Sequence, residues 1–261
     1  MLPSMPLSLP LTQLLTAEIY GFLLVLVRVG AALSMLPGFG EMAVPLRARM
    51  AAAIAVSLAL SAIVPGLPAV PPDAPSDLLR QLFGELMAGA VLGVGARIIF
   101  GALQMAGQLI SQTVGLSSIF AQPGLGFEAG SVLGSYLMLG GLVLIFVTDL
   151  HLAMITALVE SYRLMPPAVL PSMGMLAKLT VETVSTAFRM AVQFSGPFLV
   201  LGFVYNVGIG LVNRAMPQFA VYFIGLPVSI LGGLVVVALT IGVVATTFLA
   251  GFGDWLHRFG G

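Results

Sequence analysis

The chain has 261 residues, 59% hydrophobic and 8% charged, with ten basic and ten acidic side chains in balance and no cysteine. Soluble domains carry roughly 25% charged residues, so this one lacks the polar surface of a water-soluble globule and belongs in a membrane or in a complex that covers it. The balanced charge gives nucleic acid or an anionic surface no footing as a partner, and the missing cysteines exclude disulfides, thiolate metal sites and a cysteine nucleophile.

A secretory signal needs a positively charged start. Here the first basic residue is Arg28, inside an apolar run, so residues 1–16 are expected to be retained. Six apolar stretches follow. Residues 19–36, 82–103, 129–148 and 229–252 each come close to the roughly 17–25 helical residues that cross a hydrocarbon core. Residues 50–64 are shorter unless the preceding MAVPLRAR extends them, and residues 181–205 carry Glu182, Arg189 and Pro197. Proline- and glycine-rich breaks separate them: LPGFGE, PGLPAVPPDAP, MPPAVLPSMG and MPQFAVYFIGLP. No period-two alternation of a spanning barrel occurs. The expected fold is all-α, a hydrophobic membrane-associated protein of about six long apolar helices.

Orientation is poorly encoded. Alternate connections hold Arg47, Arg49 and Arg214 on one side and Arg80, Arg163, Lys178 and Arg258 on the other. Three against four is no positive-inside signal.

Arg28, Glu85, Arg97 and Arg189 lie within apolar stretches and are expected to be buried charges. An unpaired charge there costs at least about 2.5–3.5 kcal/mol, so each must face protein or water. Glu85 and Arg97 are roughly 18 Å apart along a helix and cannot pair with each other, so each needs a partner elsewhere. A structural ion pair explains them more simply than a proton relay, which needs several acids along one path. Gly89, Gly93 and Gly101 make an i, i+4 stripe that lets helix backbones approach closely. Gly130/Gly134 and Ser131/Ser135 repeat the device.

Chemistry is hard to find. Asp149 and His151, with only His257 elsewhere, are too few ligands for a metal, and no P-loop, G-x-S-x-G or H-E-x-x-H occurs. Glu160 and Arg163 form an expected surface pair, and Trp255 with His257 reads as an interfacial anchor. The chain is expected to be no enzyme and to hold no catalytic residue, metal or cofactor.

The window 104–127 stands apart. It holds Gln104, Gln108, Gln112 and Gln122 of eight glutamines and no charge before Phe127. The first three recur every four residues, one stripe on a helix flanked by Gly107 and Ser111; after Gly115 the pattern dissolves into SSIFAQPGLG, a loop. Hydrocarbon cannot satisfy amides or irregular backbone, so this segment must lie against protein or line a watery cavity. Neutral amides and hydroxyls suit a surface that meets varied substrates without trapping either sign of charge. A plain loop outside the membrane with an amphipathic lead-in remains open on these residues alone.

NVGIGLVNRAMPQFAVYFIGLP, residues 206–227, together with RVGAALSMLPGFGE and PLRARMAAAIAVSLAL near the start and QMAGQLISQTVGLSSIFAQP in the middle, resembles the FliR/SctT family of bacterial type III secretion export gates. The matches run in order along nearly the whole chain. One departure is visible: relatives commonly read Pro-Gln-hydrophobic-Asn, and here Ala220 follows Phe219, so no hydrogen bond is carried over to that position.

The resemblance implies a non-enzymatic subunit of the flagellar protein export gate in the bacterial inner membrane, at the basal body. It implies assembly with FliP and FliQ, with FlhB and FlhA and membrane lipid as further partners, and unfolded flagellar proteins as substrates. The alternative is the matching subunit of a virulence injectisome, or a small-molecule or ion transporter. The lack of a lysine after the proline in GLPVSI leans flagellar; inverted repeats, which a transporter would show, are not apparent. The resemblance further implies a FliP-like part over residues 1–175 and a FliQ-like helical hairpin over 176–261. Within the first part, residues 104–127 map onto a central polar plug loop. Its residues are Gln104, Gln108, Ser111, Gln112, Ser117, Ser118, Ile119, Phe120, Gln122 and Pro123. Contacts to neighbouring subunits fall to Asn206, Gly208, Asn213, Arg214, Pro217, Gln218, Gly225 and Pro227.

Overall fold

The computed structural model describes residues 11–116, 132–216 and 221–259, with side chains from Glu18 and Gly225 onward in the first and last of its helices. Among the described residues the fold is all-helical, with seven helices: α1 (Leu11–Met35), α2 (Leu46–Ser61), α3 (Pro75–Val114), α4 (Val132–Val147), α5 (Leu150–Leu164), α6 (Met173–Ala215) and α7 (Val221–His257).

Local chemistry sets the boundaries. The run at 50–64 does reach back through PLRAR, because Pro45 stands just before α2 and its fixed φ of −57° leads into the first turn. α3 opens with Pro75 and carries Asp77 in its first turn, where a proline needs no N–H and an acid meets the positive end of the helix dipole. Its end is Gly115, at φ 85°, a left-handed geometry that glycine enters without steric cost. The run at 129–148 does not stay one helix. It breaks at Thr148–Asp149, where Asp149 takes φ 58°, and a separate α5 of 15 residues begins at Leu150. That break raises the count from six helices to seven.

The remaining runs are longer than their apolar cores. α3, α6 and α7 have 40, 43 and 37 residues, about 60, 65 and 55 Å of rise. Glu18–Met35, Pro75–Val114, Met173–Ala215 and Gly225–His257 are long and apolar enough to cross a membrane, with a fifth span if α4 and α5 count as one broken segment. The hydrocarbon core is only about 30 Å thick, so each of the three longest helices is longer than a straight crossing needs.

Packing divides the chain into two units. Unit 1 joins Met1–Arg97, His151–Glu182 and Trp255–Gly261; unit 2 joins Ile98–Leu150 and Thr183–Asp254. In unit 1, α1 buries Leu24, Val25, Val29, Ala32 and Leu33 on one stripe, which Leu36 just past its end continues. Gly89 and Gly93 of α3 sit directly on it: a Cβ at Gly89 would strike the Arg28 carbonyl oxygen, and one at Gly93 would come within 2.8 Å of the Ala32 carbonyl oxygen. These two glycines of the expected stripe are therefore used inside the chain, whereas Gly101 has open space around it. In unit 2, Gly107 of α3 lies against Gly134 of α4 backbone to backbone. Phe100, Phe248 and Phe252 form an aromatic row, with Phe248 edge-on to Phe100 at 5.7 Å between centroids.

Candidate functional site

The last three turns of α3, in unit 2, present two unlike faces. Ile110 and Val114 are buried and pack with Phe198 of α6. Gln104 and Gln108 are half-buried and Gln112 is exposed, while Ser111 is buried between the two faces. α6 and α7 come close to this helix end through glycines. Gly202 meets the Thr113 methyl and Gly233 meets the Val114 side chain, so close that a Cβ at either place would overlap. A helix end leaves carbonyls without intrahelical partners, and here the Ser229 hydroxyl donates to the Val114 carbonyl at 2.9 Å. Opposite, Gly225 is buried against the Tyr205 hydroxyl and Ile209.

A cavity of about 370 Å³ opens beside this junction, lined by Gln112, Thr113, Tyr205, Asn206 and Ser229 among others, none of them charged. Asn206 turns its amide back to donate to the Gly202 carbonyl at 2.7 Å. The site is polar, neutral and lies at the point from which residues 117–131 depart. Chemically it offers hydroxyls and amides, and no nucleophile–base pair or cluster of acids.

The expected site residues distribute unevenly. Asn206 and Gln112 share the cavity. Gly208 is exposed mid-helix; Asn213 and Arg214 are exposed in the last turn of α6; Pro227 is exposed within α7. Ser117, Ser118, Ile119, Phe120, Gln122, Pro123, Pro217 and Gln218 lie outside the described residues, as do Gly130 and Ser131. Sequence reasoning missed Gly202, Tyr205 and Ser229. Tyr205 and Ser229 flank the family-like stretch 206–227, so reading a few residues further at each end would have found them; nothing in the sequence marks Gly202.

Unit 1 holds a second polar centre. Arg28 Nε donates to Glu85 Oε2 at 2.7 Å, and both side chains have 0% exposure. Glu85 Oε1 accepts the backbone N–H of Ala168 at 2.8 Å, a residue held at φ 61°. Arg28 Nη1 lies 3.4 Å from the Ser161 hydroxyl, and the guanidinium carbon stacks 3.7 Å over the Tyr162 ring. A buried charge is tolerable only when paired and hydrogen-bonded, and Glu85 meets that need through Arg28 of α1 and the backbone of Ala168.

Four expectations fail. Arg97 is not a buried charge: its side chain is 51% exposed and reaches Glu41 at 3.4 Å. Arg189 is exposed on α6, because it falls on the side of that helix opposite Ala187, Met190, Ala191 and Phe194, which are buried. Trp255 is no interfacial anchor. It is 2% exposed, its ring filling the space above Gly95, where a Cβ would come within 2.5 Å of it. Glu160 and Arg163 form no ion pair; among the described residues the ion pairs are Arg28–Glu85, Arg97–Glu41 and Lys178–Glu182.

Residues 19–255 match the family model for bacterial export proteins, family 1. The flagellar biosynthetic protein FliR of Caulobacter vibrioides is 32% identical over 244 residues, covering 93% of this chain and 96% of that protein. FliR of Aquifex aeolicus is 26% identical over 233 residues, 89% of each chain. FliR of Escherichia coli K12 is 27% identical over 224 residues, 84% of each.

Proposed function

This chain belongs to the bacterial export proteins, family 1, and to the FliR family of flagellar biosynthetic proteins, and from that premise we propose that it is a non-enzymatic subunit of the flagellar type III protein export gate. In this reading it joins FliP and FliQ in the bacterial inner membrane, with FlhB and FlhA beside them, and helps form the passage for unfolded flagellar proteins. Residues 1–175 supply a FliP-like part and residues 176–261 a FliQ-like hairpin; the two long apolar helices α6 and α7 suit the latter. The polar stretch from Gln104 to Phe127 borders the passage, and Arg214 with its neighbours contacts adjoining subunits.

One observation carries the reading. The neutral end of α3, with Gln112, Asn206 and Ser229 around a charge-free cavity, offers hydrogen bonds to any extended peptide and holds none by ion pairing. Such a lining tolerates many sequences, which a conduit for diverse unfolded chains requires. Gln112→Leu and Gln112→Glu test it: secretion of flagellar subunits is expected to fall several-fold in both, with the chain present in the membrane at its normal level. Normal secretion from both variants would remove the lining role. Co-purification of the tagged chain, with the mass of the complex measured, tests the partnership with FliP and FliQ; recovery of the chain without either would overturn it.

A further inference from the structure

We propose that the end of α3 holds a side-chain trap: an apolar hole beside the neutral cavity that takes one leucine- or phenylalanine-sized side chain of a peptide threaded past it. This rests on the reading of that helix end as passage lining and adds what the passage grips.

A second cavity, of about 160 Å³, adjoins the polar one within unit 2. The two share Thr113, Gly202, Tyr205 and Ser229 as walls. Their remaining linings differ in kind. Val114, Phe198, Leu201 and Val228 close the smaller space, and none of these side chains carries a polar atom. On the shared wall the Ser229 hydroxyl is committed to the Val114 carbonyl and the Thr113 hydroxyl to the Leu109 carbonyl. The larger cavity has Gln112 and Asn206 instead. Asn206 gives one N–H to the Gly202 carbonyl. Its amide oxygen and the Gln112 amide have no hydrogen-bond partner among the described residues.

Size and chemistry select the occupant. An apolar cavity of about 150 Å³ stays dry and takes up benzene, so this one suits a branched aliphatic group or a single ring. Left empty, its walls forgo dispersion contacts, and water inside would find too few partners. A lipid chain is the weaker occupant, since it would also cover the Gln112 and Asn206 amides and give them nothing to bond. A peptide meets both needs at once. Side chains of an extended chain stand off the backbone on alternate sides, so one enters the hole while its neighbouring amides face Gln112 and Asn206. A charged side chain is refused by its desolvation cost. Gly232 keeps the hole open, since it lies on the wall and a Cβ there would meet no atom within 4 Å. The hole thus adds a preference to a lining that otherwise ignores sequence.

An exported flagellar subunit fused to a domain that resists unfolding leaves its chain threaded through the assembled apparatus and serves as the probe. A serine–glycine stretch in the threaded part carries one guest residue beside a cysteine, stepped through successive registers. The chain itself has no cysteine, so Leu201→Cys at the edge of the hole gives it a single disulfide partner. A leucine or phenylalanine guest should raise the disulfide yield at least about tenfold over alanine, aspartate or lysine. Gly232→Leu, which fills the hole, should erase that difference, and Val228→Ala, which widens it, should extend the preference to tryptophan. If Gly232→Leu fails to accumulate, Val228→Phe, at a position 58% exposed, carries the same test. Equal yields for all guests, or a preference that survives filling, would overturn the trap. Disulfides from Gln112→Cys with none from Leu201→Cys sink the trap and leave the passage reading standing. A threaded chain that joins neither position sinks the passage reading, and this inference with it.

Discussion

Glu85 and Arg28, separated by 57 positions in sequence, meet at 2.7 Å with no solvent on either side chain. The carboxylate also receives the Ala168 N–H, so it ties α1, α3 and the connection after α5 to one point. Glu85→Ala leaves a buried guanidinium without its counter-charge and is expected to cost about 3–5 kcal/mol. Arg28→Met with Glu85→Leu removes both charges and should cost clearly less than the single change. Thermal unfolding of the detergent-purified protein checks the order; a double variant as weak as Glu85→Ala would mean that the loss is of packing and not of charge pairing.

The ring beneath Arg28 makes a sharper case. Tyr162 is buried, and its hydroxyl has no hydrogen-bond partner among the described residues, while its face lies 3.7 Å from the guanidinium carbon. Tyr162→Phe keeps the ring and removes the unsatisfied hydroxyl, so the unfolding temperature should stay level or rise. Tyr162→Leu loses the ring–cation contact and leaves a gap, and should lose about 2 kcal/mol or more. A marked drop in the phenylalanine variant would show that the hydroxyl has a partner in solution.

Gly107 and Gly101 are about 1.7 turns apart on α3 and predict opposite outcomes. At Gly107 a Cβ would overlap the Gly134 backbone, which has no flexible end to move aside; Gly107→Ala should cost about 1–3 kcal/mol, the range for overpacking. At Gly101 nothing lies within 4 Å, so Gly101→Ala should gain up to about 1 kcal/mol from helix propensity. The same unfolding measurement reads both. Equal effects at the two positions would deny the α3–α4 contact.

Much of this was legible in the sequence, and the misses share a cause. Hydropathy located every apolar run and the resemblance placed the family, because both depend on residues close together or on patterns in order. The need of Glu85 for a partner on another element followed from helix rise alone; that the partner is Arg28 did not, since pairing across 57 positions is a tertiary fact. Helix length was underestimated for α6, which continues through the polar turn Lys178 to Glu182 that hydropathy scores as an end, whereas the four-residue spacing of Gln104, Gln108 and Gln112 already carried α3 to Gly115. Arg97 and Trp255 went wrong in opposite directions for one reason. Neither the surface under the arginine nor the empty volume above Gly95 is visible until helices are packed. The chain passes between its two packing units at positions 97, 150, 182 and 254, a tertiary division that no local pattern in the sequence marks.

Trp255, the only tryptophan of the chain, reports on its own environment. A residue sealed above Gly95 and edge-on to Phe259 at 5.2 Å should emit as an apolar indole. It should resist acrylamide and be little quenched by brominated acyl chains in reconstituted vesicles. An indole at the bilayer interface would instead respond to shallow bromines. Trp255→Ala removes a fully packed ring and is expected to cost about 3–5 kcal/mol, whereas His257→Ala, two residues on and exposed, should stay within about 0.5 kcal/mol of the parent. The contrast decides between a core residue and an anchor, because an anchor of the membrane interface would give its largest effect on vesicle partitioning and its smallest on unfolding.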